Sequence, residues 1–161
     1  MANIPDEFLP ILSKVKDPEI PVLTVVDMGV VRRVEGDKMH LEVDVTPTYS
    51  GCPAMDTIEN EIYKAFTRAD YQEVVVNRII HPPWTTDWLS EEGKKKLEAT
   101  GIAPPLGSAD KQELLGSDVQ VNCPYCKSKE TKLISQFGST ACKSLYQCND
   151  CGQPFDYFKC I

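Results

Sequence analysis

The sequence predicts a chain of α+β class in two parts: a small α/β domain at 1–105 and a β-rich, cysteine-dense module at 118–161, joined by a linker at 106–117. Three observations predict this. The charges divide unevenly, with 11 basic and 18 acidic side chains in residues 1–107 against 6 of each in 108–161. Six of the seven cysteines follow residue 120. Between the two regions, Gly101-Ile-Ala-Pro-Pro-Leu-Gly-Ser-Ala-Asp110 has the Pro, Gly and small polar residues of a connecting segment. A chain of 161 residues, 42% apolar, fills one modest core and a small satellite.

Each element follows from its own pattern. Phe8, Leu12 and Val15 have helical spacing, but Pro10 removes a backbone donor and should kink or shorten that helix. Val30–Glu35 and Met39–Val45 read as a hairpin, since Leu41, Val43 and Val45 alternate with His40, Glu42 and Asp44. Gly36-Asp37 between them predicts a glycine-first turn of type II′. Ile58, Ile62 and Phe66 recur every four residues and predict a helix from Pro53 to Ala69, proline being tolerated at the first helical position. Val74–Ile80 is apolar enough for a buried strand. Ser90–Ala99 opens on a capping serine, carries acids in its first turn and lysines later, and stops before Gly101, as a short amphipathic helix does. Lys94-Lys-Lys96 is then a solvated helix face. In the second part, 131–137, 144–147 and 154–160 read as three short strands.

Composition excludes several functions. A formal charge of −7 provides no basic footprint for a phosphate backbone, so no nucleic-acid partner is expected. The amino terminus carries Asp6 and Glu7 where a signal peptide carries Lys or Arg, and no apolar run reaches the roughly 18–20 residues of a membrane span. The expectation is a cytoplasmic protein with no membrane partner. Seven cysteines, an odd number, do not suit a disulfide framework in a reducing compartment, which leaves metal chemistry.

Cys123-Pro-Tyr-Cys126 and Cys148-Asn-Asp-Cys151 are two C-x2-C pairs separated by 21 residues. Two intervening residues let a tight turn aim both sulfurs at one ion, and Gly152 suits the left-handed position that follows such a turn. Lys127, at the equivalent place after the first pair, is less suited. Cys123, Cys126, Cys148 and Cys151 are therefore expected to hold zinc, with a single iron bound in rubredoxin fashion left open. Four thiolates leave no open coordination position, so the ion is structural and replaces a core that a module this short cannot build. Cys142 and Cys160 lie outside the pairs and are read as packing residues, a functional thiol remaining the alternative.

Cys52 lies just after a predicted strand, beside the start of the predicted helix. A helix amino terminus stabilises a thiolate, whereas Asp56 and the acidity of the domain oppose it, so reactivity stays open. His81, beside Pro82 and Pro83, reads as part of a rigid loop, with a transient metal ligand as the other option. Trp84 and Trp88 read as core anchors, with an exposed partner contact as theirs.

Asp17-Pro-Glu-Ile-Pro21, Asp27-Met-Gly29, Thr46-Pro-Thr-Tyr-Ser-Gly-Cys-Pro53 and Pro83-Trp-Thr-Thr-Asp-Trp88 resemble the iron–sulfur-assembly domain typified by SufT. With Phe137-Gly-Ser-Thr-Ala-Cys-Lys143 and Gln153-Pro-Phe-Asp-Tyr-Phe-Lys-Cys-Ile161, the chain resembles more narrowly the PaaD or PaaJ family of the phenylacetyl-CoA epoxidase system. The resemblance implies a small two-layer α/β iron–sulfur-assembly-like domain followed by a zinc ribbon. It implies an accessory role in aerobic phenylacetate catabolism without catalysis by this chain, maturing the multicomponent epoxidase or its reductase by helping to insert iron or an iron–sulfur cluster. The partners implied are the oxygenase and reductase subunits and iron–sulfur assembly proteins. Cys52 and Asp27 are the cofactor-binding residues carried over. Gln153 departs from the glutamate of the family's Cys-Gly-Glu-Pro-Phe-Asp pattern.

The residues agree by exclusion. A ferritin-like di-iron protein needs paired Glu-x-x-His motifs, and neither His40 nor His81 has a glutamate at that spacing. A reductase with a plant-type cluster needs C-x4-C-x2-C and a dinucleotide or flavin fold, which this sequence lacks. Walker loops, G-x-S-x-G elbows and H-E-x-x-H helices are missing too. A non-catalytic structural component of the oxygenase complex and a small electron-transfer protein stay open as alternatives.

Overall fold

The computed structural model describes residues 2, 4–106 and 119–159, so all of the expected linker except Leu106, together with Cys160, lies outside the described residues. The chain forms two compact units, Met1–Gly93 and Lys94–Ile161.

In the first unit, a 3-10 turn at Asp6–Phe8 runs into α1 (Leu9–Leu12), which holds Pro10 in its first turn, where no helical N–H is required. The helix is short, as the proline predicted, and it buries Leu12 beside the Phe8 of the preceding turn. Strands β1 (Val31–Gly36) and β2 (His40–Val45) pair antiparallel with Val34 opposite Val43 and Gly36 opposite Leu41. Their turn differs from the expected one. Gly36 ends β1 at φ +131°, and Asp37 closes the turn by accepting the backbone N–H groups of Met39 (2.8 Å) and His40 (3.1 Å) on Oδ1. An aspartate that bonds backbone two and three residues ahead shapes its own turn, and here this outweighs the glycine-first geometry.

From β2 the chain crosses through α2 (Met55–Thr67) to β3 (Glu73–Arg78), which lies parallel to β2 with Leu41 opposite Val74 and Val43 opposite Val76. A parallel neighbour needs such a crossover, and a helix supplies the length. Ile58, Ile62 and Phe66 share one buried face, the i, i+4 row that the periodicity indicated. The ring of Phe66 meets Tyr71 at 5.3 Å and Phe8 at 5.9 Å, both edge-on.

The expectation of a buried strand at 74–80 needs correction. The sheet order is β1-β2-β3, so β3 is an edge, and Val75 is 41% exposed beside the buried Val74. A run of valines fits a half-covered edge as well as a central strand. Trp84 is a core anchor: it is buried and its indole N–H donates to the Met28 carbonyl at 2.8 Å. Trp88 is capped by Arg32, whose guanidinium carbon lies 3.3 Å from the ring centroid. His81 is exposed.

Helix α3 (Glu91–Ala99) spans the division between the units, and its predicted cap is in place, the Ser90 hydroxyl accepting the Gly93 N–H at 2.9 Å. The second unit has a four-stranded sheet in the order β4-β7-β6-β5, from β4 (Ile102–Ala103), β5 (Thr131–Ser135), β6 (Lys143–Cys148) and β7 (Pro154–Phe158). β5, β6 and β7 are the three expected strands. β4 is an addition: two residues cannot announce a period, yet Ile102 and Ala103 pair parallel with Asp156 and Tyr157. The 102–103 strand thus joins the second sheet, although the break in composition predicts a first domain that reaches 105. The core of this unit gathers Val121, Tyr146, Phe155 and Tyr157 around Cys123 and Cys148.

Replacing Phe66, 0% exposed, by alanine should lower stability by about 3–5 kcal/mol. A urea titration followed by tryptophan fluorescence checks this; a loss under about 1 kcal/mol would mean that the three-ring contact does not anchor the sheet.

A four-cysteine centre and the Cys52 loop

Two knuckles build the first site by the same local bonds. In the first, the Cys123 N–H donates to the Ser128 carbonyl (2.8 Å) and the Lys127 N–H to the Cys123 carbonyl (2.9 Å). In the second, the Cys148 N–H donates to the Gln153 carbonyl (3.0 Å) and the Gly152 N–H to the Cys148 carbonyl (3.0 Å). Each repeats the other at equal spacing, and both need a left-handed residue after the pair. Gly152 takes φ +75° and Lys127 φ +64°. The Cβ of the lysine makes that conformation strained, so surrounding bonds must hold it; its ammonium donates to the Pro124 carbonyl at 3.0 Å and pairs with Glu98.

The sulfurs of Cys123, Cys126, Cys148 and Cys151 all lie within 4.8 Å of one another. Cys126 and Cys148 are 3.5 Å apart, Cys123 and Cys151 3.8 Å. Four sulfurs about 2.3 Å from one tetrahedral ion stand roughly 3.8 Å apart, so the set fits such an ion as it stands. One cysteine of each pair is buried in the core and the other faces solvent. The Cys151 N–H, 3.5 Å from the Cys148 sulfur, draws that thiol down to about 7. The expected ligand set is assembled in full. Its donors suit zinc and iron alike, and four of them close the coordination sphere.

Cys142, outside the set, is buried, with its sulfur 3.1 Å from the Thr140 hydroxyl. Lys143 beside it is buried as well, and its ammonium lies 3.4 Å from Asp156.

The second site is the loop from Thr46 to Ala54, between β2 and α2. Cys52 is half-buried and precedes α2 by three residues, with its N–H donating to the Tyr49 carbonyl (3.1 Å). Burial pushes its thiol above the ordinary cysteine range; the Ala54 N–H works against this, Glu19 and Asp17 add to it, and the Thr48 hydroxyl opposes it. Spacing along the chain makes Asp56 the opposing acid, and this needs correction. Asp56 pairs with Arg78 at 2.5 Å, and the acids that act on Cys52 come from the 17–19 turn. Asp17 itself is buried, and its Oδ1 accepts the N–H groups of Glu19 (2.8 Å) and Ile20 (2.7 Å). Thr46, at the end of β2, has a buried hydroxyl with no hydrogen-bond partner among the described residues.

Asp27 is not among the groups acting on Cys52. Its Oδ2 accepts the Thr24 N–H (2.9 Å) and hydroxyl (2.8 Å), its Oδ1 lies 3.4 Å from the Ser90 hydroxyl, and its carbonyl accepts the Ser90 N–H (2.8 Å). Gly93 fits there because an added Cβ would lie 3.2 Å from the Asp27 backbone. Sequence reasoning missed Glu19 and Thr48 as neighbours of Cys52; the only signal was that the 17–21 and 46–53 motifs both carry small turns with acids or hydroxyls, which does not say that they meet.

Three comparisons bear on both sites. The iron–sulfur cluster assembly protein family matches residues 6–76, and the PaaD zinc beta ribbon domain matches residues 107–159. A protein of Escherichia coli (strain K12) named as a putative 1,2-phenylacetyl-CoA epoxidase subunit is 46% identical over 155 residues, covering 96% of this chain and 92% of its own. An Fe-S protein maturation auxiliary factor of Porphyromonas gingivalis is 32% identical over 94 residues, covering 57% of this chain and 89% of its own. In structure, a DUF59 domain from Bacillus anthracis superposes with a TM-score of 0.53 at 27% identity, covering 57% of this chain and 89% of its own.

Two outcomes are expected. Cys126→Ser or Cys151→Ser, both at exposed ligands, should reduce bound metal from one equivalent per chain to well under half, read by elemental analysis after gel filtration. Cys52 should be a neutral thiol at pH 7, so its alkylation rate, resolved by peptide mass mapping, should keep rising beyond about pH 8.5, the ordinary cysteine midpoint. A plateau below that value would contradict the environment described.

Proposed function

The chain belongs to the PaaD family of 1,2-phenylacetyl-CoA epoxidase subunits, and from that premise we propose that it is an accessory protein of phenylacetate catabolism that assists insertion of iron or an iron–sulfur cluster into the epoxidase or its reductase. The chain itself does not catalyse. Its partners are the oxygenase and reductase subunits and the proteins that supply the cluster. Zinc resides in the four-cysteine centre and holds the second unit folded; iron is cargo and is handled in the first.

The observation that carries this reading is the placement of Cys52. Cys52 offers a half-buried thiol, under the electrostatic influence of Glu19 and Asp17, in the region that matches the iron–sulfur assembly family. Its raised pKa suits transient handling. A metal must displace the proton to bind, so the thiol holds iron weakly and returns to its neutral form when the iron leaves. Asp17 contributes mainly by shaping the 17–20 turn, since its Oδ1 is committed to two backbone N–H groups. Asp27 serves as a brace through Thr24 and Ser90 and does not reach the cargo. The tetrathiolate has no open position and takes no part in transfer.

The decisive experiment compares the iron content of the epoxidase oxygenase and reductase from cells lacking the gene, complemented with wild type, Cys52→Ser or Glu19→Gln. The expected result is soluble but iron-deficient client with an empty vector and with Cys52→Ser, and partial loading with Glu19→Gln. Full loading with Cys52→Ser would make the chain a structural component of the complex. Anaerobic purification adds a second readout: stoichiometric zinc in a colourless protein leaves no redox centre for electron transfer.

A further inference from the structure

The first unit, residues 1–93, has 8 basic and 17 acidic side chains, and most of the basic ones are already engaged. Arg33 bonds Glu35, Glu42 and Asp44; Arg78 bonds Asp56 and Glu59; Lys64 bonds Glu61. Arg32 lies on Trp88, and Lys38 sits over Tyr71 and donates to the Ala69 carbonyl. Three remain. Lys14, Lys16 and Arg68 are exposed, and among the described residues their side chains make no hydrogen bond or ion pair. All three line one cleft of about 370 Å³ between the 11–16 stretch and the end of α2.

The cleft has two chemistries. Its apolar lining is Ile11, Val15, Ala65 and Ala69, and its charge is the three cations, Glu61 being the only acid that lines it. Glu61 is charged and paired with Lys64 at 2.9 Å, which holds its carboxyl below the usual range; Arg68 acts on it only at longer range, without an ion pair. In a unit with twice as many acids as bases, three unpaired cations around one apolar hollow form a local positive site that attracts an anion from outside. A free phosphate would use the cations and leave the apolar lining wet. A ligand that bears both carboxylates and an apolar side chain uses all of it.

We propose that this cleft docks an acidic peptide segment of a partner protein, with its carboxylates on Lys14, Lys16 and Arg68 and an apolar side chain on the Ile11, Val15 and Ala65 surface. The volume accepts one large apolar side chain with its flanking backbone, at the low end of pocket sizes that hold a specific ligand. The cleft sits toward the carboxyl end of α2, whereas Cys52 precedes the amino end of that helix. Docking here is therefore independent of the iron-handling reading and can stand or fall without it.

The test is an NMR titration of the 15N-labelled full chain with three probes: the capped peptide Asp-Glu-Leu-Leu-Glu-Asp, its amide counterpart Asn-Gln-Leu-Leu-Gln-Asn, and inorganic phosphate. The acidic peptide should shift amides in 11–16 and 61–69 saturably, and Lys14→Glu/Lys16→Glu and, separately, Arg68→Glu should each weaken it by about tenfold or more. Lys129→Glu/Lys132→Glu, a charge-matched change on exposed residues of the second unit, should leave the affinity within about twofold. Raising the salt from about 0.05 to about 0.5 M should weaken binding by about tenfold as screening increases. Thermal midpoints within a few degrees of wild type establish that the variants are folded. The proposal is overturned by equal affinity for the amide peptide, by phosphate producing the same shifts at the same affinity, or by unchanged binding in both cleft variants.

Discussion

Four sulfurs held within 4.8 Å of one another are the constraint on which the second unit depends. Two of them, on Cys123 and Cys148, are also core atoms, packed with Tyr146, Phe155 and Tyr157. The strand ends are fixed by the same residues: β6 finishes at Cys148, and the second knuckle turns the chain into β7. The core of this unit is small, so an ion shared by the four sulfurs would add a cross-link to what burial supplies. The use of thiolates has a consequence for charge, since four of them outweigh a divalent ion and leave the loaded module negative.

The first unit solves a different problem. Its sheet is covered on one face by α2, and the crossover from β2 to β3 leaves a loop, Thr46 to Ala54, at the carboxyl end of a strand and the start of a helix. That junction is where a fold can present a side chain without disturbing its core. Cys52 occupies it, but the environment is not the one a helix terminus alone would produce. Burial and the carboxylates of the 17–19 turn outweigh the Ala54 N–H and the Thr48 hydroxyl, so the thiol titrates above the ordinary cysteine range. Its surroundings thus differ from those of the four sulfurs gathered at one centre.

Much of this was legible in the chain. The two C-x2-C pairs announced a ligand set that the fold assembles, because two residues between cysteines force a turn whatever surrounds them. The 58, 62, 66 row and the 41, 43, 45 alternation placed α2 and β2 to within two residues at each end, since side-chain period follows from backbone geometry. Local competition was harder to read. Whether Gly36 or Asp37 would govern the hairpin turn depended on a side-chain bond, and Lys127 holds a left-handed residue's place that composition alone assigns to glycine.

The sequence by itself determined the class of the longer helices and strands, the division of cysteines between a metal set and single residues, and the family resemblance, because these rest on spacing along the chain. Only the tertiary structure decided that β3 is an edge, that two residues at 102–103 join the second sheet, that Glu19 and Asp17 act electrostatically on Cys52 while Asp56 goes to Arg78, and that three unpaired cations meet at one cleft. Each of these is a meeting of residues far apart in the chain, and no local period records which distant turn, strand or helix will arrive beside a given side chain.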